Sequence, residues 1–287
     1  MPTYPSRRGF LELTLKGVLV IGAGNVLQSF AASTFKMPAK KDVLLRFVLV
    51  SDGHYGQPDT DYDMHHGRMI EWVNKEKSSR GVDFSIFNGD TIHNGSEFLP
   101  QVKKKWEDLK TPLYVSRGNH DMVTEDVWQK VWGMPLNYSF EKGKDVAFIV
   151  LDSANEKGEY ICPNIAWAKE QLDKYKDKKH LFVVIHITPF KWTGAGNPCP
   201  ELVELFNKQA NLKGVFHGHD HDQDGMKENE GKYYFFDSHI AGNWGTDYRG
   251  YRIVEVLKSG EVLTYQMDGA KETRVNEKTV AENAKGE

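Results

Sequence analysis

Two hydrophobic rhythms alternate along the chain. Residues 43–50 (VLLRFVLV) are apolar at seven of eight positions. A strand sends successive side chains to opposite faces, so an almost unbroken apolar run predicts a strand buried on both. Residues 83–87, 113–115, 181–185 and 214–216 are shorter runs of the same kind. Between them, residues 64–77, 97–109, 125–131 and 165–175 space their apolar side chains for helices, as Met69, Trp72 and Val73 do in the first and Trp167, Ala168, Leu172 and Tyr175 in the last. Beyond residue 221 the rhythm becomes strand after strand, at 233–236, 251–256 and 262–267, joined by Gly-bearing turns. Residues 138–140 and 146–151 add two more. One sheet does not comfortably hold so many strands. The pattern therefore predicts an α/β fold, a two-sheet β-sandwich flanked by helices.

The first 33 residues have a different character. Ser6-Arg7-Arg8-Gly9-Phe10-Leu11 matches the twin-arginine export pattern, and Ala31-Ala32-Ser33 offers small residues to a signal peptidase. The apolar run between Lys16 and Asn25 is short of the ~20 residues that span a bilayer. The organisation expected is a signal peptide over 1–33, one domain over 34–274 and a flexible tail over 275–287, with a retained anchor as the alternative. The twin-arginine export machinery is then a partner, no permanent membrane span is expected, and the destination is the bacterial periplasm or exterior. That machinery carries proteins already folded.

The whole chain has a formal net charge of −3. The leader carries Arg7, Arg8 and Lys16 against Glu12, so the remainder is more acidic. This balance argues against general nucleic-acid binding, which relies on Lys and Arg. Two cysteines, Cys162 and Cys199, each precede a proline. They could pair in an oxidising compartment or remain loop thiols, because spacing alone does not place their Cα atoms within bridging reach.

Five short clusters carry the chemistry: Asp52-Gly53-His54, Gly89-Asp90, Gly118-Asn119-His120-Asp121, His186 and Gly218-His219-Asp220-His221. Each follows a strand-like run. Seven side chains (Asp52, His54, Asp90, Asn119, His186, His219 and His221) offer nitrogen and oxygen but no sulfur. That set suits Zn, Fe or Mn. A structural zinc takes four ligands, usually with Cys, and a lone catalytic zinc takes three. Seven suit two divalent or trivalent transition-metal ions sharing a carboxylate. The order of the blocks resembles the calcineurin-like metallophosphoesterase superfamily: D-x-H, G-D, G-N-H-[DE], a lone H, then G-H-x-H. No ligand position is substituted between Asp52 and His221.

The resemblance implies the same sandwich and a binuclear centre bridged by Asp90. One ion would take Asp52, His54, Asp90 and His221, the other Asp90, Asn119, His186 and His219. It implies hydrolysis of a small phosphomonoester or phosphodiester by a metal-bridging hydroxide, without a covalent phosphoenzyme, and makes His120 the general acid. A nuclease and a metal-free scaffold on the same fold are the alternatives. At position 93 purple acid phosphatases carry Tyr and protein Ser/Thr phosphatases carry Asp, whereas this chain has His93. His93 either hydrogen-bonds His120 or the substrate or is an ordinary loop histidine behind the ligands, and Asn119 is a candidate to contact substrate as well. Phe190 and Trp192, in the 189–200 loop, are candidates to wall the pocket. Asp121 either holds the His120 tautomer or caps the next helix. His65 and His66 are expected to be solvated at a helix start, and His217 and His239 to pack at strand ends. Asp220, Asp222 and Asp224 mimic an EF-hand, but the twelfth position is Gly231 rather than Glu.

Overall fold

A computed structural model of the chain describes residues 18–22, 27–30 and 36–275. The twin-arginine motif, Ala31-Ala32-Ser33 and residues 276–287 of the expected tail lie outside them. The strands are β1 (Val18–Ile21), β2 (Leu27–Phe30), β3 (Val43–Val50), β4 (Phe84–Asn88), β5 (Leu113–Ser116), β6 (Tyr138–Lys142), β7 (Val146–Leu151), β8 (His180–Ile185), β9 (Leu212–His217), β10 (Met226–Asn229), β11 (Lys232–Phe236), β12 (Gly250–Leu257), β13 (Val262–Asp268) and β14 (Thr273–Val275). The helices are α1 (Tyr62–Ser79), α2 (Leu99–Lys105), α3 (Glu125–Trp132), α4 (Ile165–Lys174) and α5 (Pro200–Lys208). The strands form two sheets. One runs β2-β1-β13-β12-β3-β4-β5 with β14 on β13, the other β10-β11-β9-β8-β7-β6. β3, β4 and β5 are parallel, as are β7, β8, β9 and β11. This is the two-sheet sandwich flanked by helices that the pattern predicts.

Alternation along each strand fills three layers of core. In β3, Leu45, Phe47 and Leu49 point between the sheets, while Val48 and Val50 point to the layer under α1 and α2. In β7, Phe148 and Val150 point inward and Ala147, Ile149 and Leu151 outward under α4 and α5. Both faces of these strands are dry, so their sequences are apolar almost throughout, and the exception in β3, the buried Arg46, pairs with Glu255 at 2.8 Å. The inner layer is aromatic. Phe47 stacks on Phe84 at 5.3 Å and meets Phe148 edge-on at 5.0 Å and Phe182 at 5.3 Å.

Several elements differ from expectation. The 97–109 helix is broken into α2 flanked by 3-10 turns at Ser96–Phe98 and Trp106–Asp108. α5 grows out of the end of the expected loop. Its signals were Pro200 at the first turn and the i, i+4 pair Leu202 and Phe206, both buried. β1 and β2 fall inside the 1–33 segment expected as a signal peptide, yet they pair with each other and β1 pairs with β13, so that Leu19 and Ile21 enter the inner core and Val20 the outer one and this part of the expected leader packs with the domain. No helix among the described residues is long and apolar enough to cross a membrane.

Phe47 touches both sheets, so Phe47→Ala leaves a cavity at the centre. It is expected to cost about 3–5 kcal/mol in urea unfolding. A loss below ~1 kcal/mol would mean that the inner layer repacks freely.

Candidate metal centre

Parallel strands of both sheets end at the same rim of the sandwich. β3, β4 and β5 deliver Asp52, His54, Asp90, Asn119 and His120, and β8 and β9 deliver His186, His219 and His221. Asp52, His54, Asp90 and His219 all have left-handed backbone, with φ of 57°, 42°, 51° and 68°. Such turns carry strain of about 1–3 kcal/mol each and persist where surrounding bonds hold them. Those bonds are present. The Asp90 carbonyl accepts the Gly53 and His54 amides at 2.8 and 2.9 Å, and the Asp52 carboxylate accepts the His219 amide at 2.9 Å. Gly89 and Gly118 permit the approach. A Cβ on Gly89 would lie 2.3 Å from His186 Nδ1, and one on Gly118 2.2 Å from Asp90 Oδ1.

The donors fall into two groups that share Asp90. In the first, Asp52, His54, Asp90 and His221 bring their ligand atoms within 4.8 Å of one another. His54 Nε2 and His221 Nε2 are 2.9 Å apart, and His221 Nε2 is 3.2 Å from Asp52 Oδ1. In the second, Asp90, His186 and His219 meet the same limit. Asp90 Oδ2 lies 3.6 Å from His54 Nε2 and 3.2 Å from His186 Nε2, while Asp90 Oδ1 accepts the His120 amide at 2.8 Å. One carboxylate oxygen thus sits between the groups. Asn119 Oδ1 and His219 Nε2 are buried with no hydrogen-bond partner. Buried polar atoms are seldom left so, and unpaired lone pairs of this kind suit a cation.

Electrostatics point the same way. Burial opposes ionisation of Asp52 and Asp90, yet His221 beside the first and His186 beside the second hold both well below the usual carboxylate range. Burial also opposes a charge on His186, but Asp90 and Asp52 push it up to about 10, so a cation there must displace that proton. Burial pushes His54 down, against Asp90, and pushes His219 down to about 4, leaving neutral imidazoles. Ionised carboxylates and neutral imidazoles are what borderline transition-metal ions take.

The family model described as Calcineurin-like phosphoesterase matches residues 45–223, the span that holds every one of these donors. The chain belongs to the calcineurin-like phosphoesterase family. Its domain is that of a metal-dependent phosphoric ester hydrolase, and the family together with the His/Asp cluster suggests a dimetal site. No curated protein matches this phosphoesterase. Among solved structures it is similar to a dimetal phosphatase from Danio rerio, at 12% identity and a TM-score of 0.64, over 82% of this chain and 97% of that one. It is similar to GAP50, the anchor in the inner membrane complex of Plasmodium, at 16% identity and 0.58, over 82% and 89%. It also resembles purple acid phosphatase PPD1 from yellow lupin seeds, at 12% identity and 0.62, over 83% of this chain and 53% of that one. At these identities the likeness is one of fold.

Around the donors of this phosphoesterase, several expectations change. His66 is not solvated but fully buried. It bonds the Gly53 carbonyl at 2.8 Å through Nε2 and accepts the Trp106 indole N–H at 2.8 Å through Nδ1, so it props the Asp52-Gly53-His54 turn from beneath. His65 is half-buried. Asp121 neither touches the His120 ring nor caps α3, which Thr124 caps. Its carboxylate accepts Thr91 Oγ1 at 2.6 Å and the Ile92 and Gly118 amides at 3.0 and 2.9 Å, tying two ligand loops together. His93 hydrogen-bonds His54, not His120: their Nδ1 atoms are 3.0 Å apart, and the His93 ring stacks on His120 at 4.8 Å. The partner of His120 Nδ1 is instead Asn94 Oδ1 at 2.7 Å. Asn94 stands at φ 66°, and its amide donates to the His120 carbonyl.

Phe190 and Trp192 do not reach the donors. They stack on each other at 3.7 Å and pack edge-on against Tyr234 in the outer core. His217 and His239 do pack at strand ends, bonding the Ile185 and Ala241 carbonyls. Asp224 of the EF-hand mimic accepts the Tyr248 hydroxyl at 2.6 Å. Cys162 and Cys199 form a disulfide. Asp90→Asn is expected to leave circular dichroism unchanged and to reduce bound metal from two ions to one or none by elemental analysis. Two ions retained would remove Asp90 from its shared place.

Proposed function

We propose that this phosphoesterase is an exported hydrolase of small phosphomonoesters or phosphodiesters acting at a two-ion centre. The observation that carries this reading is Asp90, one carboxylate common to two complete donor groups. Asp52, His54, Asp90 and His221 would hold one ion, and Asp90, Asn119, His186 and His219 the other. The donor set takes Mn, Fe or Zn. When bound, two such ions polarise phosphoryl oxygens, offset their charge and lower the pKa of water towards neutrality.

The chain's own groups orient the reaction. His186 Nδ1 donates to the Asn88 carbonyl at 2.7 Å, which fixes the ring with Nε2 towards Asp90. For His54 to present a lone pair at Nε2, its proton sits on Nδ1 and is donated to His93, leaving a His93 Nε2–H for a phosphoryl oxygen. His120 is half-buried, and its Nδ1–H is taken by Asn94. The form that acts as an acid is then the imidazolium, whose second proton, on Nε2, would pass to the leaving alkoxide. A general acid of this kind contributes roughly 10²–10⁴-fold.

The likeness to GAP50 makes an anchoring scaffold the competing reading. A scaffold needs no ligand set, and here all seven donors are kept. Purified protein is expected to contain metal and to turn over p-nitrophenyl phosphate, its bis ester, or both. Absence of metal and turnover, even with added Mn or Zn, would favour the scaffold. His120→Ala is expected to retain metal and to lose about 10²-fold or more on esters with poor leaving groups, but much less on p-nitrophenyl esters. Equal losses would remove the acid role.

Export is supported by Ser6-Arg7-Arg8-Gly9-Phe10-Leu11 and by the Cys162–Cys199 disulfide, which suits an oxidising compartment. The twin-arginine reading predicts that Arg7→Lys with Arg8→Lys holds the protein in the cytoplasm of an expressing bacterium. Unchanged fractionation on immunoblots would overturn it.

A further inference from the structure

Trp244 is among the few large hydrophobic side chains left exposed in the described residues, at 43%. Its position is nevertheless fixed. The indole lies flat on His221 at 4.3 Å and 6°, His221 lies on His239 at 5.2 Å and 18°, and the indole also meets His54 at 5.0 Å. The loop is shaped to make this stack. His221 Nδ1 lies 3.3 Å from the Trp244 carbonyl, and Gly242 and Gly245 flank the residue at φ 92° and 127°. A Cβ on Gly245 would lie 2.7 Å from His221 Cβ, so a glycine is needed for the loop to come this close. The second donor group has a counterpart. Tyr160, 42% exposed, meets His219 edge-on at 5.0 Å. Its loop is held by the Ala154–Tyr160 bridge, by the Ile161 amide on the Ser153 carbonyl at 3.0 Å, and by the disulfide of Cys162.

Each donor group thus has an exposed, fixed aromatic ring against one of its histidines. Packing alone does not call for this, because an indole that only shielded His221 would be better buried than left half in water. Among the described residues no ring covers the second face of Trp244, which is the open end of a three-ring stack. We infer that Trp244 is a stacking platform selecting phosphate esters whose alcohol bears a planar aromatic group, a nucleobase or an aryl ring, with Tyr160 as the opposite rim. The inference rests on the phosphoesterase reading and narrows its substrate class. Stacking of a base on an aromatic side chain corresponds to about 5- to 150-fold in affinity.

The test uses the full-length enzyme with its metals, Trp244→Leu and Trp244→Phe, and three esters: adenosine 5′-monophosphate, p-nitrophenyl phosphate and glycerol 2-phosphate. Trp244→Leu is expected to raise KM about 5- to 150-fold for the nucleotide, the aryl ester or both. KM for glycerol 2-phosphate and the metal content stay unchanged, and Trp244→Phe recovers most of the loss. Which ester suffers distinguishes nucleobase from simple aryl. Independently of turnover, adenosine or phenol should quench the tryptophan emission of wild type in a saturable way that Trp244→Leu abolishes. A uniform KM change across all three esters, or quenching unaltered by Trp244→Leu, would reduce Trp244 to a packing residue. If wild type hydrolyses none of the esters, the phosphoesterase reading fails instead, while quenching still decides the platform.

Discussion

Asn88, at the end of β4, clasps the two sheets where the ligand loops meet. Its carbonyl accepts Ser51 Oγ at 2.8 Å and His186 Nδ1 at 2.7 Å, its amide nitrogen donates to the Phe216 carbonyl at 3.1 Å, and its amide oxygen accepts Ser116 Oγ at 2.8 Å. One fully buried residue therefore bonds to β5 and β9 and to the residues that follow β3 and β8. The donors come from strands of both sheets, so a slip of one sheet against the other would separate His186, His219 and His221 from Asp52 and Asp90. The inner aromatic layer resists that slip over a wide area, and Asn88 fixes it at the rim. A buried amide satisfied on all sides is costly to disturb, because each freed partner would be left dry and unpaired.

The centre above this clasp gathers like with like. Two carboxylates and four imidazoles share a water-poor space, and four of the residues hold left-handed backbone. The carboxylates stay ionised because the histidines beside them outweigh burial. Asp121, with its pKa pushed up to about 6 by burial and by Asp90, is bound instead by two amides and a hydroxyl. It therefore works as a strut between loops. Strain and charge of this kind are tolerated where a site is built for cations.

Outside the donors, the chain separates support from access. His66 and Trp106 support the first loop from the α1 side, whereas Asn94 and His93 orient His120 and His54 from the solvent side. The disulfide joins the Tyr160 loop to the start of α5, so one rim of the site is anchored to the outer helical layer. On the far edge of the first sheet, the β1–β2 hairpin covers β13 with side chains that enter both cores, which gives an otherwise open edge a partner.

Most of the strands and the donor inventory were legible in the sequence, because both are local. A strand with two dry faces must be apolar at nearly every position, and a metal ligand must be His, Asp or Asn. The blocks at Asp52, Asp90, Asn119, His186 and His219 could be ordered by chain position alone. What the sequence did not contain was who meets whom. His66 looked like a solvated helix residue until α1 turned it onto Gly53 and Trp106. Phe190 and Trp192 looked like a pocket wall, but β11 offered them Tyr234. Asn88, Asn94 and Asp121 have side chains common in any turn, and only strand pairing and loop contact reveal their bonds. Trp244 carried no local signal, since it is 23 residues from the histidine it covers. Local composition determined which elements and which ligand chemistry this chain has. The packing of two sheets, a non-local event, decided that the ligands form one centre and which rings surround it.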